Sequence, residues 1–150
     1  MPPIPPLPGY AELVCRSNYS FLSAASHPEE LVARAQALRY TALAIADECS
    51  LSGVVRAHVE AQRLRMPLIV GALMRLQRSA SSVPDEKPTD SGPQLVLRAQ
   101  TRRGYGNLAQ WITVARRRAP KGEYLALMSD LEGRVPAAPT LAGLPDCLAL

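Results

Sequence analysis

The chain has 150 residues, enough for one ordinary domain, and its 47% apolar share supports a buried core and excludes wholesale disorder. Aromatic residues are few (one Trp, one Phe and five Tyr), so that core must be built mainly from Leu, Val, Ile and Ala. A net charge of +4 permits contact with nucleic acid without demonstrating it, and no run approaches the ~20 apolar residues of a membrane span.

The N-terminus, MPPIPPLPGY, carries five prolines in its first eight residues and no basic-then-apolar signal pattern, so residues 1–9 form a proline-rich segment ahead of a domain over 10–150. Ala11 to Cys15 reads as a short buried strand ending at Arg16, followed by a polar loop from Ser17 to Ala25. Ser26 is the expected cap of a first helix, with Pro28 in its first turn and Glu29 at capping-box spacing. Leu31, Ala35 and Leu38 would form that helix's apolar face. Ala42 to Ala46 is apolar throughout, as in a strand covered on both faces, and stops at Asp47.

The unit then repeats. Ser50 or Ser52 would cap a second helix carrying Val55, His58, Val59 and Gln62 on successive turns. Pro67 closes that helix before a strand over Leu68 to Leu73. Residues 77–93 are rich in Ser, Pro, Asp and Thr without periodicity, and read as a flexible insertion. Leu95 to Ala99 is a fourth strand, and Tyr105, Leu108, Ile112 and Ala115 mark a third helix. A short helix around Ser129 to Gly133, a Pro/Ala loop and a strand opening at Cys147 to Leu150 complete the reading. Strands alternating with helices imply α/β architecture and a parallel sheet. Four strands and an opening fifth are too few to close a barrel of about eight, so the chain reads as an incomplete portion of one.

Cys15, Cys49 and Cys147 are odd in number and form no CxxC pair, which suggests neither a zinc knuckle nor a disulfide framework and fits a reducing, cytoplasmic setting. His27 follows a cap position and His58 lies on a helix, neither with matching metal partners. Ser17, Ser20 and Ser23 surround Asn18 and Tyr19 in a loop, without the His-Asp support of a nucleophile. Gly104 and Gly106 bracket Tyr105 but no phosphate cradle follows. The segment from Ser91 to Gly122 has no acid while holding Arg98, Arg102, Arg103, Arg116, Arg117, Arg118 and Lys121. These cations are candidates for DNA phosphate or for a subunit contact, and Arg116 to Arg118 also suit the negative end of a helix dipole.

In a β/α barrel, functional side chains sit at the C-terminal ends of strands, here Val14 to Arg16, Asp47 with Glu48, and Leu73. The runs YAELVCRSNYSFLSAASHPEELVARA, LAIADECSLSGVVRAHVEA and PLIVGALMRL, with the later RRGYGNLAQWITVARRRAPKGEY, resemble the polymerase-and-histidinol-phosphatase (PHP) domain. That domain opens the alpha subunits of bacterial C-family DNA polymerases, and the later run resembles their error-prone, damage-tolerant branch. The resemblance covers roughly Tyr10 to Leu131 and implies a distorted seven-stranded β/α barrel, here an incomplete N-terminal portion.

Metal-binding members carry His-x-His after the first strand, Asp-His after the second and Glu after the third, because imidazoles and carboxylates hold divalent ions. Here Val14 and Arg16 replace the two His, Glu48 replaces the paired His, Leu73 replaces the Glu, and Asp47 is retained. Val and Leu have no lone pair and Arg stays protonated, so these five positions are expected to form a degenerate, metal-free site without catalytic residues. Arg16 is expected to take over the electrostatic role of the metals by pairing with Asp47 and Glu48. The resemblance implies a non-catalytic domain of a DNA polymerase III alpha-like nucleotidyltransferase acting in translesion synthesis and DNA repair. No cofactor is then expected in this domain, and magnesium belongs to a downstream polymerase region. The implied partners are DNA, the sliding clamp, accessory mutagenesis proteins and the rest of the polymerase chain, with no membrane. Two alternatives stand beside it: a stand-alone metal-dependent phosphoesterase, and a truncated non-enzymatic fragment binding nucleic acid or a partner.

Overall fold

A computed structural model describes residues 9–77, 92–132 and 144–150. The first strand, β1 (Ala11–Cys15), leads through the Ser17–Ala25 loop into α1 (Pro28–Ala37). β2 (Ala42–Glu48), α2 (Val54–Leu64) and β3 (Leu68–Gln77) follow, then β4 (Gln94–Ala99) and α3 (Arg102–Arg117). A two-residue β5 (Ala126–Leu127), a single turn α4 (Met128–Leu131) and β6 (Cys147–Ala149) end the described chain. The main sheet has the order β1-β2-β3-β4-β6, with β5 alongside the end of β3. The proline-rich segment and the insertion lie outside the described residues, apart from Gly9 and the insertion's boundary residues Gln77, Gly92 and Pro93.

The sheet is mixed rather than parallel. β1, β2 and β3 are parallel neighbours, joined by helices that carry the chain back over the sheet. β4 is antiparallel to β3, and β6 to β4. Most of the connection from β3 to β4, residues 78–91, lies outside the described residues, and its sequence has no helical period.

One face of the sheet carries the helices. Ile45 and Leu43 of β2 pack with Val32 and Ala35 of α1 and Ala57 and Ala61 of α2. Met74 and Leu76 of β3 and Leu97 of β4 pack with Leu108, Trp111, Ile112 and Ala115 of α3. The opposite, inner face begins with a cluster of Ala46, Leu73 and Val96.

The helix boundaries and faces depart from expectation in two places. α1 is capped at His27 rather than Ser26, and the His27 N–H donates to Glu30 Oε2 at 2.9 Å. Pro28 thereby becomes the first helical residue, where its missing N–H costs nothing. Its buried residues include Val32 and Ala35, while Leu38 is exposed. α2 begins after Gly53 and buries Val54, Ala57 and Ala61, leaving Val55, His58, Val59 and Gln62 exposed. Small residues bring α2 close to α1 and β2, whereas the larger Val55 and Val59 lie on the solvent side. Ser50 and Ser52 do not cap it; the Ser50 hydroxyl donates to Ser52 Oγ and accepts from the Ser52 N–H, both at 3.1 Å.

Candidate functional site

The C-terminal ends of β1 and β2 meet the middle of β3, with Cys15 beside Ile45 and Glu48 beside Leu73; β3 runs on to Gln77, so Leu73 does not stand at its end as expected. Successive strand residues point to opposite faces, and this separates the two carboxylates expected to act together. Asp47 follows Ile45 onto the helix-covered face, and Glu48 follows Ala46 onto the inner face.

Asp47 is almost wholly buried and fully engaged. Its carboxylate accepts from the Ser17 N–H and the Ser17 hydroxyl, both at 2.7 Å, and from the Ser20 hydroxyl at 2.8 Å. Ser20 Oγ in turn accepts from the Glu48 N–H at 3.0 Å, which ties the loop to the end of β2. The start of α2 closes the other side: a Cβ on Gly53 would lie 2.7 Å from Asp47 Oδ2. The positive end of that helix and the donated hydrogen bonds balance the buried charge. Ser17 and Ser20 are therefore donors that hold the loop on a carboxylate. Ser23, Asn18 and Tyr19 complete the same loop, with Asn18 Nδ2 2.9 Å from His27 Nδ1.

Glu48 has a different set of partners. Its Oε1 accepts from Arg75 Nε at 3.0 Å and from the Tyr124 hydroxyl at 2.9 Å, while Tyr124 accepts from the Arg75 N–H at 3.0 Å. Burial pushes the Tyr124 phenol above its usual range, reinforced by the Glu48 carboxylate beside it. The expected pairing of Arg16 with Asp47 and Glu48 is not formed. The loop serines reach Asp47 first on the helix side, and Arg75, two residues beyond Leu73 on the same strand face, reaches Glu48. Arg75 and Tyr124 escape sequence reasoning because their meeting depends on β5 and its flanks folding beside β3. The one available signal is a cation at an inner-face position just past an apolar run of the strand.

Val14 lies exposed on β1, Arg16 is half-buried and Leu73 is buried in the inner cluster. Among the described residues no three His, Cys, Asp or Glu side chains come together to hold a metal ion. Asp47 accepts hydrogen bonds at both oxygens and Glu48 at Oε1, while Val14, Arg16 and Leu73 offer no lone pair to a metal ion.

The basic residues are dispersed. Arg102 and Arg117, at opposite ends of α3, are about 22 Å apart along the helix. Arg103 pairs with Asp146, and Arg116 Nε donates to the Cys49 carbonyl at 2.9 Å. Arg118 grips the buried Asp130 through two hydrogen bonds of 2.7 and 2.9 Å. Arg102, Arg117 and Lys121 are exposed, with no hydrogen bond or ion pair to another described residue. Gly104 lies in the first turn of α3 against the Asp146 backbone, so it serves packing. Burial raises the thiols of Cys15 to about 11 and Cys49 to about 12, and that of Cys147 as well, so all three stay protonated.

The family model of the PHP domain matches residues 12–138. The chain belongs to the PHP domain family. Curated relatives named error-prone DNA polymerase include those of Bordetella parapertussis, 56% identical over 96% of this chain, and Dechloromonas aromatica, 51% identical over 96%. This PHP domain spans only 13% and 12% of those relatives' lengths. Two solved structures share the fold. One, assigned as a metal-dependent phosphoesterase of Bifidobacterium adolescentis, gives a TM-score of 0.52 at 17% identity over 73% of this chain and 34% of its own. The other, an amidohydrolase of Chromobacterium violaceum with bound sulfate and no metal, gives 0.53 at 19% identity, with the same coverages. Among the described residues no helix is long and apolar enough to cross a membrane.

Proposed function

We propose that this PHP domain is the N-terminal, metal-free and non-catalytic domain of an error-prone DNA polymerase acting in translesion synthesis and repair in the cytoplasm. The carrying observation is that both carboxylates at the end of β2 are engaged within the chain. Asp47 is spent on Ser17 and Ser20, and Glu48 on Arg75 and Tyr124. A barrel mouth wired this way holds its loops in place without metal ions, and serves the polymerase through its shape. The relatives named error-prone DNA polymerase support the assignment to that branch. In this reading DNA and the remainder of the polymerase chain are its partners, as are the sliding clamp and accessory mutagenesis proteins. Magnesium acts in the downstream polymerase region.

Elemental analysis of protein purified from medium supplemented with zinc and manganese tests the metal-free part, with substoichiometric metal expected. Two or three tightly held ions per chain would favour the phosphoesterase reading. The polymerase part is tested by the reading frame beyond Leu150: a long continuation whose product extends a primer past a lesion is expected, and a prompt stop codon would count against it.

A further inference from the structure

Arg98 lies in the middle of β4, is only 6% exposed, and its Nε has no hydrogen-bond partner. It forms no ion pair with any described residue. Alternation along β4 sets it on the face of Val96, which packs with Ala46 and Leu73, opposite to Leu97 on the α3 side. Its stem crosses Gly71 on the neighbouring strand, where a Cβ would lie 3.2 Å from Arg98 Cγ and 2.7 Å from the Leu97 carbonyl oxygen. On the other side Arg98 stands opposite Leu148 of β6, and opposite residues of an antiparallel pair share a face. The guanidinium is thus directed onto the inner face of the sheet.

Two apolar residues on that face are exposed. Leu148 is 48% exposed beside Arg98, and Leu150, paired with Val96 through two backbone hydrogen bonds, is 54% exposed. A largely buried guanidinium whose Nε lacks a partner is unfavourable, and apolar residues left in water beside it add to the cost. A covering segment that is apolar and carries one carboxylate satisfies both. Arg suits such a pairing because its planar fork takes a carboxylate through two hydrogen bonds.

We infer that Arg98 is one half of a buried ion pair whose carboxylate is an Asp or Glu of the chain following Leu150, laid over the inner face beside β6. The inference rests on the proposed reading of the chain as the start of a longer polymerase, and the 10–14% of the relatives' length spanned here leaves ample chain to supply that residue.

The test compares Arg98→Leu in the 150-residue chain and in the longer product of the same reading frame. In the short chain the substitution removes an unpaired buried charge, so the thermal midpoint rises. In the longer chain it strands a buried carboxylate, so the midpoint falls, and Arg98→Lys lowers it less. A shift of the same sign in both chains overturns the pairing. So does a short-chain midpoint that rises with millimolar inorganic phosphate in wild type but not in Arg98→Leu, which would assign the cation to a free anion. If the short chain does not fold, the longer chain decides alone: neutralising one downstream Asp or Glu should restore the Arg98→Leu midpoint, and failure of every such substitution overturns the pairing. Primer extension by the wild-type longer chain is scored separately. Its loss with the opposite-sign shifts retained counts against the polymerase reading alone, and its presence with same-sign shifts counts against the ion pair alone.

Discussion

Asp130 shows how a single residue organises the end of the described chain. It is buried at the start of α4 and accepts from Arg118, from Trp111 Nε1 at 2.9 Å and from the Leu127 N–H at 3.1 Å. Burial opposes its ionisation, but the Arg118, Trp111 and Leu127 hydrogen bonds outweigh that and hold the carboxyl below its usual range. A folded-state value below the unfolded value of about 3.9 stabilises the protein above that pH. The contribution is lost as pH falls through the folded value. Acid titration of the unfolding free energy should therefore show a loss of stability below about pH 4 that is smaller in Asp130→Asn. Arg118→Ala should cost about 3–5 kcal/mol in urea denaturation at pH 7, because it strands a buried carboxylate. Ser20→Ala belongs to the same scale. It removes a donor to Asp47 and the acceptor of the Glu48 N–H, and should cost about 1.5–3 kcal/mol by the same measurement, whereas a cost below about 0.5 kcal/mol would show that the loop is not held there.

At the scale of elements, α2 and α3 begin in different ways. α3 starts on Thr101, whose hydroxyl accepts from the Gly104 N–H at 3.1 Å. α2 starts on Gly53, which is packed against Asp47 Oδ2, with Ser17 Oγ 2.9 Å and Pro28 Cγ 3.2 Å from the position of a Cβ. No side chain fits there without moving the carboxylate or the loop that holds it. Gly53→Ala should therefore destabilise the protein by about 1–3 kcal/mol despite the higher helix propensity of Ala, the clash opposing propensity. Thermal denaturation beside Gly106→Ala, which faces open space in the interior of α3 and gains helix propensity, separates the two effects. Both variants rising together in midpoint would refute the packing account.

For the molecule as a whole, the exposed cations whose side chains make no hydrogen bond or ion pair with another described residue decide how DNA binding should be tested. Neutralising Arg116, Arg117 and Arg118 together would also break the Asp130 pair and the bond to the Cys49 carbonyl, confounding affinity with folding. Arg102→Ala, Arg117→Ala and Lys121→Ala avoid that. If the domain contacts DNA phosphate through these residues, each substitution should reduce the slope of log affinity against log salt by about 0.9 on duplex DNA. Fluorescence anisotropy across a salt series measures this, and unchanged slopes in all three variants would remove this face from the DNA contacts.

The residues alone were sufficient for the alternation of strands and helices and for the family resemblance. The alternation follows from periodicity, which is local, and the resemblance from runs of residues shared with the family. The mixed sheet was not legible, because strand direction depends on whether a connection crosses back over the sheet. The exposed positions of Val55 and Val59 were not legible either, since several faces of α2 carry apolar residues and only packing against α1 and β2 selects the small Ala57 and Ala61. The wiring of the candidate site was decided by tertiary structure for the same reason. Asp47 and Glu48 are neighbours in sequence, but the pleat sends them to opposite faces. Their partners Ser17, Ser20, Arg75 and Tyr124 come from separate segments that only the folded sheet brings within hydrogen-bond reach.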